Sequence, residues 1–171
     1  DYLDQRVRDG VRQGEFTEEQ ARGDLDLALW YAYACNNIDD YDYYYKAAQW
    51  MPASEPAAEA AGSGIWYYRY ACALMYCGRL EEARHYAETG VSLDPEYPWG
   101  WLETGKLRAH FGDRDGALEA VRRGLDVIHE RFGPVSFLAV GVTGSGRERI
   151  GRLIGADAVR DEITAQARAA V

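Results

Sequence analysis

A period of 34 residues in the middle of the chain constrains its fold more than any other sequence feature. When the sequence is shifted by 34, five small or aromatic positions coincide, namely Tyr67 with Trp101, Ala71 with Gly105, Gly78 with Gly112, Ala83 with Ala117, and Gly90 with Gly124. A period of this length is typical of a repeated supersecondary unit, and one copy of such a unit cannot bury its apolar face alone. The sequence therefore predicts several equivalent units stacked side by side.

Each unit is predicted to be a pair of helices. Within Leu80–Leu93, apolar residues recur at steps of three and four with charged residues between them, which is the helical period. Nearly every position of Ile65–Cys77 is apolar, as expected of a helix packed between neighbours. Pro95 and Pro98 then end one unit and start the next, because proline is tolerated only at the first turn of a helix.

An earlier segment also matches the central unit, at an offset of 37. Trp30–Cys35 and Tyr67–Cys72 both end in Tyr-Ala-Cys. The match predicts a degenerate first copy over about residues 27–60. In this copy Trp30, Tyr33 and Ala34 take the aromatic and small positions of the first helix, and Ala47 and Met51 take the small and large positions of the second.

These residues resemble the tetratricopeptide repeat family, whose 34-residue pattern is W-x2-L-G-x2-Y, then A-x3-F, then P. The central copy has Tyr67, Tyr70, Ala71, Leu74, Ala83, Ala87 and Pro95, and the next copy has Trp101, Thr104, Gly105, Ala117 and Val121, with His129 where proline is usual. The resemblance covers about 100 residues. It implies an all-α fold: a right-handed solenoid of about three stacked helical hairpins with flanking N- and C-terminal helices.

The predicted organisation is one tetratricopeptide-like domain over residues 1–171. Its parts are an N-terminal helical region (1–26), a degenerate repeat plus loop (27–63), two repeats (64–97 and 98–131), and a C-terminal connector with a capping helix (132–171). Residues 2–13 are predicted to form a short polar helix.

Local signals refine the flanks of the repeats. Thr17 followed by Gln20 is a capping-box pattern and predicts one long helix from about Thr17 to Asn36. Pro52–Gly64 is predicted to be a loop or a short Ala-rich turn. Residues 137–142 have a strand-like composition, but no partner strand is evident, so a short helix or extended piece is preferred. A last helix is predicted over about residues 156–170.

Composition excludes several classes of partner. The chain has 28 acidic and 19 basic residues, and a net charge of −9 argues against nucleic-acid binding. No window approaches the ~18 consecutive apolar residues of a membrane span. The odd set Cys35, Cys72 and Cys77 fits reduced structural thiols better than disulfides, and neither these cysteines nor the three histidines have metal-ligand spacing. We therefore expect a cytoplasmic protein without a metal or cofactor.

No motif predicts catalysis. The Gly-rich segment 141–147 lacks the lysine of a phosphate-binding loop, since Arg147 and Glu148 stand at the Lys and Ser/Thr positions. No serine, cysteine or histidine occurs in a spaced catalytic motif. Asp39, Asp40 and Asp42 do not follow the calcium-loop pattern and fit a solvated turn. The chain is therefore predicted not to be an enzyme.

The family resemblance implies a concave groove lined by the first helix of each repeat. The groove residues it implies are Tyr31, Tyr68, Cys72, Tyr76, Trp99, Lys106 and His110. Exposed aromatic side chains are frequent anchors of binding surfaces. The predicted function is a non-catalytic scaffold that binds a protein or peptide of unknown identity, as a peptide or a helix, by burying anchors against the aromatic residues. Lys106 and His110 would supply a polar or acidic contact at one end.

Three alternatives stay open. The same tyrosines could simply pack inside the superhelix or lie under the N-terminal helix. The domain could be a structural module that forms a homo-oligomer through its exposed end repeats, because a truncated solenoid leaves an apolar face uncovered. The chain could also be the sensory, ligand-binding part of a larger bacterial-type regulator.

Overall fold

The computed structural model describes residues 2–133, 141–142, 148, 151–152, 155–156 and 158–159. Contacts divide the chain into two compact units, Asp1–Arg131 and Phe132–Val171. The helices are α1 (Tyr2–Gln13), α2 (Glu18–Gly23), α3 (Leu25–Asn36), α4 (Tyr41–Trp50), a 3₁₀ helix (Met51–Ser54), α5 (Glu55–Ala60), α6 (Gly64–Tyr76), α7 (Leu80–Leu93), α8 (Pro98–His110) and α9 (Arg114–Phe132).

Every regular secondary-structure element among the described residues of the first unit is a helix, which confirms the predicted all-α class there. Helix α3 packs against α4 and α6, and α6 packs against α7 and α8. Helices α3 and α6, the first helices of two predicted repeats, thus each contact both their own partner helix and the first helix of the next repeat. None of the described helices combines the length and the apolar character that a membrane span requires.

The 34-residue period reappears in the turns of the two hairpins α6–α7 and α8–α9. Gly78 and Gly112 have φ of 76° and 83°, in the left-handed region that glycine adopts without a steric penalty. The next residue closes the turn in both hairpins, because the N–H groups of Arg79 and Asp113 each donate over 2.9 Å to a carbonyl five residues earlier. These local signals explain why the predicted bounds of α6 and α7 agree with the structure to within a residue and why α8 begins at Pro98, as predicted.

The same period sets the closest approach between the paired helices. A Cβ atom added to Gly90 of α7 would lie 2.6 Å from Tyr67 Cβ of α6, and one added to Gly124 of α9 would lie 3.2 Å from Trp101 Cβ of α8. Each glycine therefore lets its helix approach the aromatic residue 23 positions earlier, at equivalent places in two repeats.

The prediction of one long helix from Thr17 to Asn36 is wrong, because α2 ends at Gly23 and a separate helix begins after Asp24. The capping box is present, with the Thr17 hydroxyl accepting from the backbone of Gln20. Asp24, however, is extended (φ −74°, ψ 120°), and its carboxylate accepts from the Leu27 N–H at 2.7 Å, which starts α3 as a separate helix. Aspartate favours such a cap over a helix interior because its side chain competes for backbone donors.

Substituting Asp24→Ala is expected to lower the free energy of unfolding by about 1 kcal/mol, because the first turn of α3 loses its only side-chain cap. Urea denaturation followed by circular dichroism measures this loss. Asp26→Ala is the matched control, since Asp26 is exposed in the same turn but does not cap it. Equal losses in the two variants would contradict the capping role.

The predicted loop Pro52–Gly64 is also wrong, because Met51–Ser54 forms a 3₁₀ helix and Glu55–Ala60 forms α5. Both prolines stand in first turns, where the missing N–H costs nothing, and the alanines that follow favour a helix. Helix α5 and the 3₁₀ helix place Ser54 in the core. Its hydroxyl accepts from Trp66 Nε1 and donates to the Met51 carbonyl, each at 2.8 Å.

The described part of the second unit contains a parallel strand pair. Gly141–Val142 (β1) pairs with Ala158–Val159 (β2), so the expectation that a strand near 142 has no partner is wrong. The predicted helix over 156–170 is contradicted at its start for the same reason, since residues 158–159 are extended. The rest of this predicted helix lies outside the described residues. Residues 134–140 and the part of the Gly-rich segment after residue 142 also lie outside them.

Candidate peptide-binding face

Burial shows that α3 aligns with α6 at an offset of 35, not 37. Trp30 and Tyr33 are 65% and 50% exposed, whereas Tyr67 and Tyr70, their predicted equivalents, are each only 3% exposed. At an offset of 35, Trp30 corresponds to Ile65, and both are exposed. The predicted packing positions of Trp30, Tyr33 and Ala34 in the first copy are therefore wrong. Ala47 and Met51 of the second helix are fully buried, as their predicted positions require.

With this alignment, equivalent exposed or half-buried positions occur on three neighbouring helices. We call this set the aromatic face: Trp30 and Tyr33 of α3 with Asn37, the residue that follows α3; Ile65, Tyr68, Cys72 and Tyr76 of α6; and Trp99, Leu102, Lys106 and His110 of α8. Six of the seven predicted groove residues belong to it. Among the large hydrophobic side chains of these six residues, that of Trp99 is the most exposed, at 54%.

Tyr31 is the predicted groove residue that does not belong to the aromatic face. It is 5% exposed, its ring stacks on Trp50 at 4.5 Å between centroids, and its hydroxyl donates to Asp4 Oδ1 of α1 at 2.9 Å. The N-terminal helix and α4 therefore cover it, and burial together with the Asp4 contact raises the pKa of Tyr31. Tyr31 therefore cannot act as an exposed anchor of a binding surface.

Side-chain contacts connect α3 to α6 across the aromatic face. The Tyr33 ring lies edge-on to Trp30 at 6.2 Å, and the Arg69 guanidinium lies 5.1 Å from the Tyr33 centroid. Arg69 also donates to the Leu29 carbonyl at 2.6 Å, and Asn36 donates to the Arg69 carbonyl at 3.0 Å. These bonds fix α3 beside α6, while burial lowers the pKa of Arg69.

Two further ring contacts order the rest of the face. Tyr68 meets Tyr97, the residue before α8, edge-on at 5.8 Å. Tyr76 stacks on Tyr44 at 4.4 Å and 15°, and the Tyr44 hydroxyl donates to Asp39 at 3.0 Å. Tyr76 is thus held on one side while 47% of it remains exposed. Rings held in this way lose little conformational freedom when a ligand binds.

Glu103 of α8 is a residue of this region that the sequence analysis missed. It is 1% exposed, its Oε2 accepts from Lys106 Nζ at 3.1 Å, and its Oε1 has no hydrogen-bond partner among the described residues. A buried carboxylate oxygen without a donor costs free energy. The sequence shows only that Glu103 stands 34 residues after Arg69, at the equivalent repeat position, and the burial of the two side chains comes from the structure.

The ion pair between Glu103 and Lys106 affects the charge on the aromatic face. Burial opposes the charge of Lys106, but the Glu103 carboxylate outweighs this effect, so the pKa of Lys106 lies above its ordinary value. Burial, with a smaller contribution from Glu103, raises the pKa of Cys72 to about 12. Burial also raises the pKa of Tyr68 to about 12. The thiol and the phenol are therefore neutral at physiological pH, and Cys72 is not activated as a nucleophile.

These shifts predict a loss of stability in alkali. The pKa of Cys72 is about 12 in the folded chain against an ordinary 9.0, so the unfolded chain releases its proton first and stability falls as the pH rises above 9. Thermal unfolding at pH 7.5 and at pH 10 measures the fall. Cys72→Ala is expected to fall less, and an unchanged pH dependence in that variant would contradict the assignment.

Comparisons with known proteins assign neither a family nor a function. No family model matches the chain, and no curated protein matches it. Among solved structures, the chain is similar to "MamA RS-1 ArsTM double mutant" with a TM-score of 0.43 and 16% identity, over 78% of this chain and 96% of that chain. Within the described residues, no group of three or more His, Cys, Asp or Glu side chains is placed to hold a metal ion.

Proposed function

We propose that this chain is a non-catalytic protein-interaction scaffold of the tetratricopeptide type, which binds a peptide or helix of a partner protein along the aromatic face. The observation that carries the proposal is the exposure of large side chains at equivalent positions of α3, α6 and α8. Tryptophan and tyrosine, which occur repeatedly on the aromatic face, are among the residue types that contribute most of the binding energy at protein interfaces. The exposure of Trp30 and Tyr33 supports including them among the proposed anchors, and the burial of Tyr31 is the reason for leaving it out.

The face favours a ligand with apolar or aromatic anchors and few charges near its centre. Trp99 and Tyr76 give two half-exposed rings on neighbouring helices, with the neutral Cys72 thiol between Tyr68 and Tyr76 on α6. Lys106 is already paired with Glu103, so His110 and the remaining exposure of Lys106 provide the contact with a polar or acidic group.

The finer parts of the proposal are the solenoid arrangement, a protein partner and a cytoplasmic location. The equivalent turns at Gly78 and Gly112 and the equivalent helix contacts at Gly90 and Gly124 support repeated, stacked hairpins. Cys35, Cys72 and Cys77 are free, which fits a reducing compartment.

The proposal is tested with peptides selected against the full chain from a random library. We expect Trp99→Ala and Tyr76→Ala each to weaken the affinity of the selected peptides at least ~10-fold, as for residues near the centre of an interface. Isothermal titration calorimetry measures the affinities. Tyr45→Ala is the matched control, because Tyr45 is 51% exposed on α4 and lies outside the aromatic face.

Two outcomes contradict the proposal. In the first, no peptide is enriched on the full chain over a denatured control. In the second, enriched peptides bind the Trp99 and Tyr76 variants as tightly as the original chain, or lose as much affinity on Tyr45→Ala.

A further inference from the structure

A separate cleft of about 610 Å³ lies among α1, α2, α3 and α4. Its lining includes Tyr31 and Trp50, which the aromatic face does not contain, and four cationic side chains, Arg8, Arg12, Arg22 and Lys46. Its volume is in the range of sites for small organic ligands, which extends from about 300 to 1,000 Å³. No part of the proposed peptide-binding function uses this cleft.

Most basic side chains of the N-terminal third of the chain line the cleft. Residues 1–63 contain thirteen acidic and only five basic side chains, yet four of the five bases line it. Of the thirteen acids, only Asp4 and Glu18 line it. The most acidic third of the chain therefore concentrates its positive charge in one concave site, which raises the local concentration of anions there.

The two acids of the cleft are already engaged. Asp4 accepts a hydrogen bond from the Tyr31 hydroxyl at 2.9 Å and lies 4.0 Å from Lys46 Nζ. Glu18 Oε1 lies 3.0 Å from Arg22 Nε. The positive charge left over is on α1, where Arg8 makes no ion pair with another described residue and Arg12 makes only an exposed contact of 3.5 Å with Asp9. The cleft thus holds a net positive charge of two that its own acids do not balance.

The base of the cleft is aromatic and ordered. Tyr31 and Trp50 stack with their rings 17° from parallel, and the Arg22 guanidinium lies 5.2 Å from the centroid of Trp50. Val7 and Val11 of α1 and the exposed ring of Tyr45 add apolar surface. The site therefore combines an apolar, partly aromatic body with a cationic rim.

We infer that this cleft binds a small organic anion: a planar or aliphatic body that lies on the apolar surface and a carboxylate or phosphate group that meets Arg8 and Arg12. Arginine suits this contact because its planar fork pairs with both kinds of anion through two hydrogen bonds. The volume of the cleft, which lies in the range of sites for small ligands, favours a small molecule over an acidic peptide segment.

The experiment uses the full chain and three probes with one naphthalene body: 2-naphthoate, 2-naphthyl phosphate and the neutral 2-naphthalenemethanol. Calorimetric titration is expected to show saturable binding of at least one anion, weakened by added salt, with the neutral alcohol bound at least ~10-fold more weakly. Comparing the carboxylate with the phosphate tells which anionic group the site prefers. The double variant Arg8→Ala/Arg12→Ala is expected to lose at least ~10-fold in affinity for the anion.

Arg6→Ala is the matched control, because Arg6 is exposed on the same helix but does not line the cleft. Its affinity for the anion is expected to stay within about twofold of the original chain. The inference is overturned if no anionic probe binds saturably, if the neutral alcohol binds equally well, or if Arg6→Ala loses as much as the double variant. Tighter binding of a hexaglutamate peptide at the same arginines would also overturn it, in favour of an acidic protein segment.

Discussion

Replacing Trp66 by alanine is expected to lower the free energy of unfolding by about 3–5 kcal/mol, the usual cost of truncating a fully buried aromatic residue. Trp66 has no exposed surface and is the largest fully buried side chain among the described residues. Its ring lies within 5.0–6.1 Å of Tyr67, Tyr70 and Tyr86, measured between centroids. The truncation also leaves the buried Ser54 hydroxyl without the indole donor that it accepts from.

Chemical denaturation of the full chain measures this loss, and Trp30→Ala is the matched control. Trp30 is the same residue type on a neighbouring first helix, but it is largely exposed, so its truncation is expected to cost less than about 1 kcal/mol. A similar loss in both variants would contradict the alignment of α3 and would restore Trp30 to the core.

The second large effect is expected from Gly90→Ala, which should destabilise the fold by about 2–3 kcal/mol through overpacking. The new methyl group would lie 2.6 Å from Tyr67 Cβ, an atom fixed to the backbone of α6, so one helix has to move away from the other. Helix propensity acts in the opposite direction, because alanine is favoured over glycine by about 1 kcal/mol. The observed loss is therefore a lower limit to the cost of the contact.

Gly124→Ala is the matched control for Gly90→Ala, since it stands 34 residues later at the equivalent contact with Trp101. There the nearest side-chain atom is 3.2 Å away, and a small shift accommodates the methyl group. We expect a change of less than about 1 kcal/mol, since the gain in helix propensity offsets the crowding. A larger loss in Gly124→Ala than in Gly90→Ala would contradict the packing described for the two hairpins.

The hairpins α6–α7 and α8–α9 could be predicted from the sequence because their signals are local. Gly78 and Gly112 mark the turns, and Pro98 marks the start of α8. The helix start at Asp24 was not predicted, because the capping box at Thr17 already accounted for one helix start only seven residues earlier. Only the extended backbone at Asp24 shows that two helices are present.

The alignment of α3 with α6 could not be predicted from the sequence, because identical residues in the two helices differ in how deeply they are buried. Tyr-Ala-Cys at 33–35 matches the same three residues at 70–72, but α1 and α4 cover the side of α3 that carries Tyr31. The buried side of α3 is therefore set by its neighbours, which the sequence pattern does not contain. The cationic cleft was missed for the same reason, since its arginines and Lys46 come from three different helices.

The central claim is that a partner peptide lies across α3, α6 and α8, and chemical-shift mapping of the backbone amides tests it most directly. The tightest selected peptide is titrated into the isotopically labelled full chain. We predict that the largest shift changes fall on the aromatic face, around Tyr33, Tyr68, Tyr76 and Trp99. Changes confined to α7 and α9, or to the residues of α1, α2 and α4 that line the cationic cleft, would contradict the claim.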